Sequence, residues 1–131
     1  MSQENVEVVR RSYEAYVRGD LDAAEAPLDP EIEIYDHDLP DAGKYRGFEG
    51  LSRWQADWES SWESWRWVPE ELIDAGERVV AVLRVYATGR ESGADVERVD
   101  GAVWTLRDGK CVRLDYYGSK EQALEAAGLR E

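Results

Sequence analysis

The chain has 131 residues, of which 43% are apolar, and it carries six tryptophans and seven tyrosines. That is the length of one domain with ample ring area for a core, which argues against disorder. A formal charge of −13, from 16 basic and 29 acidic residues, disfavours nucleic acid, which is bound chiefly by neutralising phosphates, and anionic membrane surfaces alike.

The single cysteine, Cys111, excludes an internal disulfide and a cysteine-rich zinc site, and suits a reducing cytoplasm. The opening "MSQENVEVVRRS" lacks the basic start and apolar run of an export signal, and no stretch approaches the roughly 18 apolar residues of a membrane span. The partners expected from this balance are neutral or small molecules, or a second copy of the chain.

Val6, Val9, Tyr13, Tyr16 and Val17 recur at helical spacing and predict a first helix over residues 4–18, with Gly19 at the position that ends it. Asp20 is placed to cap a short second helix across "DLDAAEA". "PEIEIYDHD" then alternates, so a strand is expected with Ile32 and Ile34 on one face and Glu31, Glu33, Tyr35 and His37 on the other. This parity sends Asp36 inward and His37 outward, and Asp38 inward only if the strand reaches it.

After the turn-rich "LPDAGKYRG", residues 48–64 predict a third helix whose Leu51, Trp54, Trp58, Trp62 and Trp65 form one aromatic stripe. Four strands are expected next, in "SWRWVPEELI", "RVVAVLRVYATG", "DVERVDGAVWTL" and "KCVRLDYYG", the last two joined by the tight turn "RDG". Ser119 and Gln122 form a capping box for a final helix ended by Gly128. The order describes a single α+β domain over residues 1–131, with a curved antiparallel sheet and helices on one face.

This chain resembles the SnoaL-like branch of the nuclear transport factor 2-like superfamily, through "YVRGDLDAAEAPLDPEIEI", "YRGFEGLSRW", "SGADVE" and "VWTLRDGKCVRLDYYGSKEQALEAAGL". The resemblance implies a cone: a strongly bent sheet wrapped around the N-terminal helices, with an apolar pocket open at one end. The family includes polyketide cyclases, ketosteroid isomerases, limonene epoxide hydrolases, dehydratases and domains without known chemistry, so the fold implies a pocket and not a reaction. On the isomerase pattern the general base falls on Asp36. The helix tyrosine falls on Ser12, with Tyr16 one turn along, and the strand aspartic acid falls near Ala102, with Asp100 two residues earlier.

The epoxide hydrolases use an aspartate–arginine–aspartate set. "ERVD" at 97–100 is similar to their Arg-x-Asp motif, while the strand that aligns with it carries Arg84-x-Tyr86 and the second aspartate falls on Tyr116. Cyclases of this branch carry an aspartate in the last strand, here Asp115 or Tyr116 according to register.

The candidate catalytic residues are therefore Asp36 as base, with Tyr16 or Arg84 stabilising an oxyanion. Arg84 lies on the same strand face as Val80, Val82 and Tyr86, and a buried arginine needs a partner, either Asp36, Asp100 or a substrate group. Trp54, Trp58, Tyr86, Asp100, Trp104 and Tyr116 are expected to line the pocket, with His37 at its rim. One histidine makes a weak metal site, so no metal and no cofactor is expected. Both faces of residues 79–86 are apolar, which predicts a homodimer covering the outer sheet face. The expected ligand is a small apolar carbonyl compound and the chemistry cofactor-independent acid–base catalysis of cyclase, isomerase or dehydratase type. The alternatives are a non-catalytic binding or dimerisation module and an epoxide-hydrolase-like hydrolase.

Overall fold

The computed structural model describes residues 2–38 and 43–129. Helices α1 (Ser2–Val17) and α2 (Leu21–Glu25) precede strands β1 (Leu28–Asp36) and β2 (Gly43–Arg46). Helix α3 (Gly47–Ser61) leads into β3 (Trp62–Ala75), β4 (Arg78–Gly89), β5 (Asp95–Arg107) and β6 (Lys110–Tyr117), and α4 (Lys120–Ala126) closes the chain. Gly19 ends the first helical unit at φ +84°, a conformation that costs glycine nothing.

The strands form one sheet in the order β2-β1-β6-β5-β4-β3, antiparallel throughout except that β1 runs parallel to β6. Bulges in β3, between Trp62 and Ser64 and between Pro69 and Glu71, bend this long strand. The inner face packs Ile32, Ile34, Leu83, Val85 and Trp104 against Val9 and Tyr13 of α1 and Leu51, Trp54 and Trp58 of α3.

Three expectations need correction. The aromatic stripe is not one helix face: at Trp62 the backbone turns extended (φ −120°, ψ 127°), so Trp62 and Trp65 belong to β3 and pair with β4. "LPDAGKYRG" is not wholly a turn, because Gly43–Arg46 adds an edge strand to β1 that buries Tyr45. Residues 39–42 of that stretch lie outside the described ones.

The helices are also not all on one face. Val80 and Val103 point outward, opposite each other in the ladder, and α4 buries them beneath Ala123 and Leu124. Gly101 makes this approach possible, since a Cβ there would stand 2.5 Å from the Cβ of Ala123. Part of the outward apolar surface of β4 is thus covered within the chain.

Candidate functional site

Asp36 is the last residue of β1 and lies opposite Tyr116 of β6. Its inward parity leaves it 0% exposed. Trp54 and Trp58 are four residues apart on α3, hence on one helix face. Their indole Nε1 groups both donate to Asp36 Oδ2, at 2.7 and 3.4 Å. Oδ1 accepts the Asp38 amide at 3.0 Å, a local turn that ends the strand. No arginine or lysine among the described residues forms an ion pair with Asp36. Burial pushes its carboxyl up, and the indole and amide bonds hold the rise in check.

A second buried carboxylate, Asp100, points inward from β5 at 0% exposure. Tyr116 donates a short hydrogen bond to its Oδ2, and the Trp67 indole in turn donates to the Tyr116 hydroxyl at 3.0 Å. Arg98 Nε lies 2.9 Å from Asp100 Oδ1 and donates to Oδ2 at 3.2 Å, while Arg98 Nη2 donates to Asp38 Oδ2 at 3.0 Å. Burial raises the Asp100 carboxyl against the opposing Tyr116 bond and Arg98 charge. Burial and the neighbouring Asp100 raise the Tyr116 hydroxyl well above its ordinary value. A continuous polar chain therefore runs from Trp67 through Tyr116, Asp100, Arg98 and Asp38 to Asp36.

Aromatic rings divide the interior in two. A mouth cavity of about 200 Å³ is lined by Asp36, Asp38, Asp57, Trp58, Trp62 and Arg98. A second cavity of about 100 Å³ is lined by Tyr13, Tyr16, Trp54, Trp67, Trp104 and Tyr116, among others, and opens to solvent beside the exposed Leu21 and Gln55. The partition consists of Trp54, Trp58 and Tyr116, with ring centroids 5.5 to 5.7 Å apart between each tryptophan and the tyrosine. Asp57 at the mouth accepts from Tyr45 at 2.5 Å, and burial followed by this carboxylate pushes the Tyr45 hydroxyl up to about 12.

Chemically, the mouth offers a desolvated base and a hydrogen-bond donor. Asp36 Oδ2 has both lone pairs engaged, whereas Oδ1 accepts one bond and retains a site for a proton. Arg98 Nη1 has no partner among the described residues. Asp36 with Trp54, Trp58, Asp100, Trp104 and Tyr116 is thus brought to the interior, and Tyr16 lines the second cavity.

The other candidates lie elsewhere. Arg84 is on the outer face, bonded to Glu70 at 2.5 Å and Glu97 at 2.8 Å, and not to Asp36 or Asp100. The alternation of β4 gives the inner positions to Leu83 and Val85, and the arginine that reaches Asp100 is Arg98 of β5. Tyr86 shares the outer face, beneath the Arg66 guanidinium at 4.6 Å. His37 also sits outside the pocket, its Nε2 2.8 Å from Asp115 Oδ1 and its ring stacked on Tyr117 at 4.5 Å. Asp115 accordingly faces outward, gripped by Arg113, and Tyr116 is the inward residue of that register.

Arg98, Asp38, Trp67 and Tyr13 were missed as site residues. For Arg98 the signal was present: Arg98-x-Asp100 places both on one strand face.

A model of the SnoaL-like domain matches residues 9–114. Among solved structures, an NTF2-like protein from Burkholderia thailandensis E264 is 26% identical with a TM-score of 0.77, over 96% of this chain and 98% of that one. TerC, crystallised with polyporic acid, is 22% identical with a TM-score of 0.77, over 95% and 98% of the two chains. A putative SnoaL-like polyketide cyclase from Jannaschia sp. CCS1 is 20% identical with a TM-score of 0.73, over 98% and 94%. A comparison with curated proteins returned no match. The bent sheet enclosing an aromatic chamber, and a family match over most of its length, show that this chain belongs to the SnoaL-like domain family, with the nuclear transport factor 2-like fold.

Proposed function

We propose that the protein is a cofactor-independent acid–base catalyst acting on a small, largely apolar carbonyl compound, in a reaction of isomerase, cyclase or dehydratase type. The observation that carries this reading is a fully buried carboxylate, Asp36, that shares the mouth cavity with Arg98 and forms no ion pair with any cation among the described residues. In the proposed step Asp36 Oδ1 takes the proton from the carbon next to the carbonyl. The C–H electron pair moves onto the carbonyl oxygen, where Arg98 Nη1 donates to the developing enolate, and the proton then returns to carbon. Desolvation raises the basicity of Asp36 toward the range where such a transfer is efficient. Trp58 and Trp62 in the same cavity take the apolar part of the ligand, and TerC, crystallised with polyporic acid, supports a small organic ligand in this fold.

The test is proton exchange in deuterium oxide, followed by NMR over a panel of small ketones. Deuterium appearing next to the carbonyl with the wild type and not with Asp36→Asn supports the reading; equal exchange by the two overturns it.

A second reading is favoured by one feature, the bridging of Asp38 and Asp100 by Arg98. An aspartate–arginine–aspartate set is suited to activating water toward an epoxide, and diol formation from small epoxides tests it. The protein is also proposed to act as a homodimer in the cytoplasm. The second copy is placed on the part of the outer face not covered by α4, where Val68, Tyr86 and Val99 are half-buried around Arg84.

A further inference from the structure

The mouth cavity holds an excess of carboxylates over cations. Asp36, Asp38 and Asp57 line it together with a single guanidinium, that of Arg98. Two edges of that guanidinium are already covered. Nε lies 2.9 Å from Oδ1 of the buried Asp100, and Nη2 donates to Asp38 Oδ2 at 3.0 Å.

Asp38 reaches Arg98 because the chain leaves room for its carboxylate. A Cβ on Gly118, just beyond the end of β6, would stand 2.4 Å from Asp38 Oδ1 and 3.0 Å from its Cγ. The pair itself does little for the fold, since the Arg98 and Asp38 side chains are 32% and 39% exposed and water screens such pairs. Without Asp38, Arg98 would still hold Asp100, so no buried charge would be stranded. Burial raises the carboxyls of Asp36 and Asp100, and the Asp38 charge adds to the rise in each. A further carboxylate kept in such company calls for a role other than stability.

We infer that Asp38 is a specificity residue: by covering the Nη2 edge of Arg98 it makes the mouth cavity accept an uncharged carbonyl group, through Nη1, and reject a ligand carboxylate. A carboxylate binds a guanidinium best through two parallel N–H···O bonds, whereas one carbonyl oxygen needs a single donor. With Asp100 on Nε and Asp38 on Nη2, no adjacent pair of donors is open. A ligand carboxylate would also meet the charges of Asp38 and Asp57 at close range. The inference rests on the reading that the ligand carbonyl meets Arg98 Nη1, and not on proton transfer at Asp36.

The experiment uses benzamide and benzoate, alike in shape and different in charge at neutral pH. Neither has a hydrogen on the carbon next to its carbonyl, so binding is read without any exchange at Asp36. Dissociation constants come from NMR shifts of the Arg98 Nε–H and of the Trp58 and Trp62 indole N–H groups, which also place the probe in the mouth. The wild type is expected to bind benzamide more tightly than benzoate. Asp38→Asn leaves Arg98 a neutral acceptor that a ligand carboxylate can displace. It is expected to tighten benzoate about tenfold or more and to change benzamide less than about twofold.

Gly118→Ala provides the second variant, because it pushes the Asp38 carboxylate off Arg98 without deleting it. Benzoate is expected to tighten there too, with benzamide little changed. A wild type that binds benzoate as tightly as benzamide, or does not bind benzamide in the mouth, overturns the inference without any variant. Unchanged benzoate binding in the folded variants, or an equal gain for both probes, overturns it as well.

Discussion

Replacing Asp36 by asparagine separates a desolvated base from a buried ion-pair partner. With its oxygen at the Oδ2 position, asparagine keeps both indole donors, Trp54 at 2.7 Å and Trp58 at 3.4 Å. Its amide group then faces the Asp38 N–H, and the 3.0 Å bond to Oδ1 is lost. A bond to a charged acceptor contributes about 1.5–3 kcal/mol. Relief of the buried charge, and of its repulsion with Asp38, offsets part of that. The expected net cost is therefore about 0–2 kcal/mol at neutral pH.

The pH dependence follows from the raised carboxyl. A group whose folded value is raised binds its proton more tightly in the folded state, so stability is gained as pH falls through that value. The wild type gains this term on acidification and Asp36→Asn does not, so wild type improves relative to the variant between pH 7 and pH 4. Urea unfolding at both pH values measures it. A loss of about 3–5 kcal/mol at pH 7, the size of a broken buried ion pair, would mean that Asp36 is held as the charged partner of a cation.

Arg98→Met leaves the buried Asp100 without its cation, and a loss of about 2–4 kcal/mol in urea unfolding is expected, since Arg98 itself is partly exposed. Arg84→Ala breaks only outer-face pairs with Glu70 and Glu97, so thermal unfolding should register at most about 1 kcal/mol, with ligand binding unchanged. His37→Ala loses the Asp115 contact and the Tyr117 stack, and a cost below about 1.5 kcal/mol in the same melts is expected. Gly101→Ala drives a methyl into Ala123 of α4, and a loss of about 1–3 kcal/mol follows, read by urea unfolding.

What the sequence made legible was periodicity. Ile32 and Ile34 set the parity that buries Asp36, and the four-residue spacing of Trp54 and Trp58 places both indoles on one helix face. Periodicity did not show where the third helix ends, because Trp62 and Trp65 continue its spacing into β3. Nor does it separate inside from outside in a strand apolar on both faces: Val80 is buried by α4, while Val79 is buried in the main core. That ambiguity assigned Arg84 to the interior. β2 has four residues, too few for an alternation to register. The Asp38–Arg98 contact joins residues 60 apart through a turn that the Asp36 side chain itself organises, and local spacing carries no trace of it.

The most direct measurement is the titration of the Asp36 carboxyl, followed by side-chain carbon NMR in the intact wild type, with Asp36→Asn to assign the resonance. The expected midpoint lies above the ordinary aspartate value of about 4, as burial without a cationic partner among the described residues requires. A midpoint at or below that value would mean that the carboxylate is stabilised as a charge, and would contradict its role as the base of the site.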